Sequence, residues 1–213
     1  MTTSAARNDA DDILNIVIKL LEDHGYDNWQ LRDVAEQAHA SLATIYKHFR
    51  SREDLVVAAV ERWMEENIYR PFHQPSEGEP LFESLSRMFH TILEPWEQHP
   101  TMLNVFVRAC STKARDRLRA QGTAAIAPLS AAYERELEGE FQRDVTMILT
   151  NVVEGALTRY VNGEIAVTDI LPTLERTLHR LEQAAQTEQP GAKRRRAAAP
   201  NHAPRGTRTV GRR

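Results

Sequence analysis

The apolar residues of this chain recur at intervals of three and four almost from end to end, a period that favours helices over strands. The clearest run is Val145, Ile148, Leu149, Val152, Val153, Ala156, Leu157 and Tyr160, which keeps to one side of a 3.6-residue repeat. No stretch alternates apolar and polar residues between hairpin signals. The expected fold is therefore all-α. Ile13, Ile16, Val17 and Leu20 give the first helix its apolar face, with Asn8 or Asp9 as its cap and Gly25 as its end. Two short helices follow, Gln30 to Ala38 and Leu42 to His48, and Ser51 caps a longer one from Arg52 to Tyr69. Pro71, Pro75, Gly78 and Pro80 mark a loop, which separates a small domain, 1–70, from a larger one, 71–186.

In the larger domain Leu85, Met88, Phe89, Ile92 and Trp96 form a stripe that Pro95 is expected to kink or end. Short helices are expected from Pro100 to Cys110 and from Thr123 to Leu137. Gly163 closes the helix of the clearest run, and a last helix from Thr168 to Gln183 carries Leu171, Leu174, Leu178 and Leu181. Two successive helices with strong apolar faces at the end of a bundle suit a shared core or a second copy of the chain.

Charge divides the molecule unevenly. Eight basic residues, Lys193, Arg194, Arg195, Arg196, Arg205, Arg208, Arg212 and Arg213, follow position 186 against the single acid Glu188. Since the chain has 27 basic and 30 acidic residues, the body keeps 19 against 29, a formal −10, and the segment 187–213 is +7. That segment also holds Pro190, Pro200, Pro204 and an alanine run, too little apolar surface to offset ordering, and is expected to be a disordered basic tail. It is either an inert terminus or an arm that adds phosphate contacts. An acidic body means that any nucleic-acid contact must come from a local basic patch.

Several classes of function are disfavoured. The longest apolar stretch, Val145 to Val161, is broken by Asn151, Glu154 and Arg159, whereas a membrane span needs about 20 predominantly apolar residues. Asp9, Asp11 and Asp12 stand where a secretory signal would be positive, so the expected location is cytoplasmic, with no membrane contact. The lone Cys110 has no partner for an intrachain disulfide or a Cys-based metal site. No GxSxG, HExxH or glycine-rich phosphate loop is present. A di-iron bundle needs two Glu-x-x-His pairs, and only Glu36 and His39 make one. Neither catalysis nor a metal or cofactor is expected.

The informative stretch is Gln30–Phe49, QLRDVAEQAHASLATIYKHF. Leu31, Val34, Ala35 and Ala38 share one face of its first helix, Ile45 and Phe49 one face of its second. Small Ala35 allows a close crossing, and His39-Ala40-Ser41 has the length of a helix-turn-helix connection. Ser41 can cap the second helix, leaving Leu42, Ala43, Thr44, Tyr46 and Lys47 toward solvent or a major groove. Thr44, Tyr46, Lys47 and His48 can donate to phosphates, and Leu42 or Ala43 can meet thymine methyls. No acid occurs between His39 and Arg52. By spacing alone, a helical hairpin with an incidental basic corner remains the alternative.

Gly25-Tyr26, Leu31 to Ala35, and Ser41 to Phe49 followed by Arg50 to Leu55 resemble the DNA-binding domain of the TetR family of regulators, over about Ile13 to Val60. The resemblance implies a three-helix DNA-binding domain, phosphate contacts from Tyr46 and His48, and Thr44 and Lys47 near bases or backbone. It also implies a phosphate contact from Arg52 and backbone contacts near Gln30 and Arg32. Three positions depart from the family pattern. His39 stands where a glycine commonly takes the left-handed turn, Ala43 replaces a frequent glycine, and the N-terminal arm is acidic apart from Arg7.

The resemblance further implies a C-terminal helical bundle that binds a small effector and dimerises through its last two long helices. The expected function is then a regulator, a repressor by preference, that holds a palindromic double-stranded DNA operator as a homodimer and is released by a small apolar effector. Gln30 and the helix pattern after His99 resemble actinobacterial regulators of sterol and lipid catabolism. Met88, Phe89, Trp96, Met102, Phe106 and Met147 are the candidate pocket residues, although Met and aromatic stripes at helical spacing are more often plain core. A purely architectural DNA-binding protein would not need so large a second domain; a regulator answering to a protein partner would.

Overall fold

A computed structural model of the chain describes residues 2–71, 73, 78–110, 115–136 and 139–188, and among these it is helical without strands. The tail from 189 onward, and Pro75 and Leu137 within the expected loop and helix, lie outside the described residues. The helices are α1 (Thr2–His24), α2 (Leu31–Gln37), α3 (Leu42–His48), α4 (Arg52–Met64), α5 (Leu81–Gln98), α6 (Pro100–Cys110), α7 (Arg115–Glu136), α8 (Gly139–Val161) and α9 (Ile170–Glu188).

The first core is built from α1 to α4. Ile13, Val17, Leu20 and Leu21 of α1 are buried with Trp29, Val34, Ile45 and the Leu55, Val56 and Ala59 face of α4. The turn after α1 needs Gly25, whose φ of 74° is one that side-chain-bearing residues rarely adopt. Helix α1 begins at Thr2 rather than at an Asn8 or Asp9 cap, because no glycine or proline interrupts Thr2 to His24.

Helix α4 runs on into a π-helical turn, Glu65–Tyr69, closed by the Arg70 N–H donating to the Glu65 carbonyl at 2.8 Å. Apolar spacing did not reveal this turn, which is set apart from the α-helix by its backbone hydrogen bonds and has no side-chain signature of its own. It places Ile68 in the core and half-buries Tyr69. Burial, with Glu65 and Cys110 nearby, pushes the Tyr69 phenol up to about 12, so its hydroxyl stays protonated. A Cβ on Gly122 of α7 would stand 3.2 Å from that hydroxyl oxygen.

In the second layer α9 packs along α5 and α8, while α6 lies against α1 and α4 and joins the two halves. Helix α5 continues through Pro95 to Gln98, so the proline does not end it. Helix α7 starts at Arg115 rather than near Thr123, and the buried Leu118 belongs to that earlier turn. Helix α9 opens at Ile170 after a 3-10 turn at Val167–Asp169, and extends past Gln183 to Glu188.

Aromatic packing fills the junction. Trp63 of α4 lies 4.6 Å from Trp96 of α5, ring centre to ring centre, and Trp96 lies 5.2 Å from Phe106 of α6. The Trp63 indole donates to Glu22 of α1 at 2.9 Å, and the same carboxylate is 3.5 Å from His99. Helices α1, α4, α5 and α6 thus meet around the stacked Trp63 and Trp96 rings.

A second tie joins α5 to α9. His90 has Glu94 at 2.8 Å on Nδ1 and Glu175 at 2.7 Å on Nε2. Two carboxylates facing both ring nitrogens are satisfied only by the imidazolium, which donates twice. The hydrogen bond to Glu94, opposed by partial desolvation and helped by Glu175, raises the His90 pKa above its ordinary value of 6.5. Because the folded value is the higher one, this tie is complete below about pH 6.5 and is lost as pH rises through the raised value. The melting-temperature gap between wild type and His90→Asn is therefore expected to be larger at pH 5.5 than at pH 9, where it should close. An equal gap at both pH values would show that the imidazolium does not hold α5 to α9.

Candidate nucleic-acid interface

The turn between α2 and α3 sets how the second helix is presented. His39 takes φ 47°, its N–H donating to Glu36 O at 3.2 Å and the Ala40 N–H to Ala35 O at 2.9 Å. These are the two bonds of a helix end closed by a left-handed residue. A histidine thus occupies the position where glycine is free, at a cost of about 1–2 kcal/mol. His39→Gly is expected to raise stability by about 0.5–1 kcal/mol net, since glycine also gains freedom in the unfolded chain. His39→Val should lower stability, and urea denaturation of both variants measures the pair.

Ser41 starts α3 by accepting the Thr44 N–H at 3.0 Å, with its hydroxyl 2.9 Å from the Thr44 hydroxyl. Thr44 is consequently half-buried and partnered, while Ile45 is buried and anchors the helix. Leu42, Ala43, Tyr46 and Lys47 are exposed along one stripe; Tyr46 is 52% exposed and Leu42 40%. Large side chains left this open on a seven-residue helix are available to a partner. His48 is half-buried, its ring 6.3 Å from that of Phe49. The first turn of α3 has no acid and the last carries Lys47 and His48, so the stripe presents donors and no carboxylate.

The other candidates are placed beside this stripe in two ways. Gln30 and Arg32 are exposed at the start of α2, where Arg32 donates to the Gln30 side-chain oxygen at 2.9 Å and Asp33 accepts the Gln30 N–H at 2.7 Å. Arg52 is held inward instead. Its guanidinium lies 4.2 Å from the Trp29 ring centre and 5.2 Å from that of Tyr26, and it donates to the Tyr26 carbonyl. An open cleft of about 400 Å³ between α1 and α2 contains Asp33 and Glu36, chemistry that repels phosphate.

In the second domain Met88, Phe89, Trp96 and Met102 are buried and Phe106 is half-buried. Met147 stands apart from them, 58% exposed on α8 with Ile148 at 36% and Val161 at 51%, so within one protomer it does not line a pocket with the other five. The α9 leucines are spoken for: Leu171, Leu174 and Leu178 are buried within the chain. A crevice bounded by Trp96, Leu103, Leu157 and Ile170 has only about 10 Å³, room for a single water.

Sequence reasoning missed Ser84 and Gln121. The Ser84 hydroxyl and the Gln121 side-chain carbonyl are buried with no hydrogen-bond partner, while the Gln121 amide donates to Glu61 O at 3.0 Å. A serine beside Leu81, Leu85 and Met88 was the available signal. Among the described residues no helix is long and apolar enough to cross a membrane.

Comparison with known proteins finds relatives for both halves of the chain. Residues 13–59 match the family described as bacterial regulatory proteins, tetR family, and residues 78–181 match the tetracyclin repressor-like C-terminal domain. The HTH-type transcriptional repressor KstR of Rhodococcus jostii is 23% identical over 184 residues, 85% of this chain and 86% of that one. Its namesake from Mycolicibacterium smegmatis is 22% identical over 166 residues, covering 76% and 81%. A TetR regulator structure from Rhodococcus sp. RHA1 superposes with a TM-score of 0.62 at 16% identity, over 82% of this chain and 95% of the other. The chain belongs to the TetR family of bacterial transcriptional regulators.

Proposed function

We propose that this regulator is a repressor that binds a palindromic operator as a homodimer and is released by a small apolar effector held in the C-terminal domain. The acid-free α3 stripe of Leu42, Ala43, Tyr46 and Lys47 carries the reading. Tyr46 and Lys47 supply phosphate contacts, and Leu42 and Ala43 lie where thymine methyls would be met. Ser41 and Thr44 fix the stripe's start; Gln30, Arg32 and His48 flank it. The exposed neighbours Met147 and Ile148 on α8 supply apolar surface suited to a second copy.

The effector part rests on the buried set Met88, Phe89, Trp96, Met102 and Phe106, with the unpartnered Ser84 and Gln121 atoms in the same domain. Buried polar groups without a partner call for a water or a ligand group. Repression is favoured by the relatives from Rhodococcus and Mycolicibacterium, both named transcriptional repressors.

Selection of bound duplexes from a random pool tests the operator reading. Recovery of an inverted repeat, with half-sites about one helical turn or a multiple apart, is expected. Recovery of unrelated sequences, or of a single asymmetric site, would contradict it.

A further inference from the structure

We propose that Arg108 of α6 is a positioning residue for DNA binding, holding the α1–α2 loop and through it the start of α4 without touching DNA itself. Helix α6 lies along the end of α1. Near its start His99 faces Glu22 at 3.5 Å, and the Thr101 methyl stands 3.8 Å from where a Gly25 Cβ would be. Two turns later Arg108 reaches past Gly25. Its guanidinium lies 4.5 Å from the Tyr26 ring centre and pairs with the Asp27 carboxylate.

Tyr26 is shared. Arg52 sits on the same ring at 5.2 Å, donates to the Tyr26 carbonyl and stacks at 4.2 Å on Trp29, which is buried. The series Arg108, Tyr26, Arg52, Trp29 therefore runs from the second domain to the first residue of α4 and to the residue before Gln30. Arg52 follows the end of α3 by four positions, and Ser51 between them caps α4 by accepting the Asp54 N–H at 3.0 Å. A shift of α6 that pulled on Arg108 would move the loop and the Arg52 stack, and with them the platform that carries α3.

The Arg108–Asp27 pair is itself half open to solvent, at 54% and 56%. Such pairs add little to stability, so its loss should alter where the reading head sits more than whether the domain folds. Arginine suits the place because a planar guanidinium can stack on a ring and pair with a carboxylate at once, which a lysine ammonium does poorly.

The proposal rests on the reading above in one respect, that α3 is the element that binds DNA. The test is the affinity of the full chain for any duplex that the wild type selects, measured over a range of salt. Arg108→Gln is expected to weaken binding about five- to tenfold with an unchanged salt slope and an unchanged melting temperature. Arg108→Lys should fail to restore it. Tyr26→Leu should lose a similar factor, and Tyr26→Leu/Arg108→Gln no more than Tyr26→Leu alone, since the two act in one series.

Wild-type affinity in Arg108→Gln would overturn the proposal, as would tighter binding. Rescue by lysine, with a salt slope lower by about 0.9 per contact in Arg108→Gln, would overturn it too, by making Arg108 a phosphate contact. A selected site without two-fold symmetry would contradict the operator reading alone, because this comparison needs only a duplex that the wild type binds.

Discussion

Replacing Tyr46 and Lys47 together by alanine is expected to weaken binding to a selected duplex by at least about 100-fold at moderate salt. Each hydrogen bond to a charged phosphate contributes about 1.5–3 kcal/mol, and the proposed dimer would lose every contact twice. The same variant should fold normally. Tyr46 is 52% exposed, Lys47 is exposed, and the helix keeps its Ser41 cap and its buried Ile45 anchor. Binding isotherms with far-ultraviolet circular dichroism on the same samples measure both quantities. Wild-type affinity with intact helicity would remove α3 from the interface.

The second large effect is on stability. Trp63→Ala is expected to cost about 3–5 kcal/mol, because it empties the space where Trp63 meets Trp96 and His99 and removes the indole donor from Glu22. With about 2–4 °C of melting temperature per kcal/mol in a chain of this size, the transition should fall by roughly 10 °C or more. Trp63→Phe keeps most of the packing and loses the hydrogen bond, so it should fall by only about a third as much. A thermal melt of Trp63→Ala within 2 °C of wild type would show that this junction does not hold the two halves together.

These two variants mark what could be read from the residues and what could not. The bounds of α3 were legible because Ser41 is a strong cap, Ile45 and Phe49 fix one face, and no alternative period competes. The end of α8 was legible for the same kind of reason: Gly163 takes φ 72° and closes it. Starts of helices were harder. Nothing in Arg115 to Gly122 is strongly apolar except Leu118, so the first turns of α7 gave no periodic signal.

Side-chain destinations were the least legible. A tyrosine, two arginines and a tryptophan spread over positions 26 to 108 give no local pattern, yet folding stacks Tyr26, Trp29, Arg52 and Arg108 in one series. Arg52 therefore has partners inside the protein, where resemblance alone implied a phosphate. The α9 leucine stripe was equally ambiguous, because a face that covers α5 and α8 has the same spacing as one that covers a second copy. Burial of Leu171, Leu174 and Leu178 within the chain moves the expectation of a dimer face to the exposed residues of α8.

Sedimentation equilibrium of the full-length chain, alone and with a duplex it selects, tests the central claim that paired recognition helices read DNA from one dimer. The account predicts a dimer at micromolar concentration and two chains, or a whole multiple of two, on each duplex. A monomer that stays monomeric on DNA and saturates at one chain per duplex would contradict it.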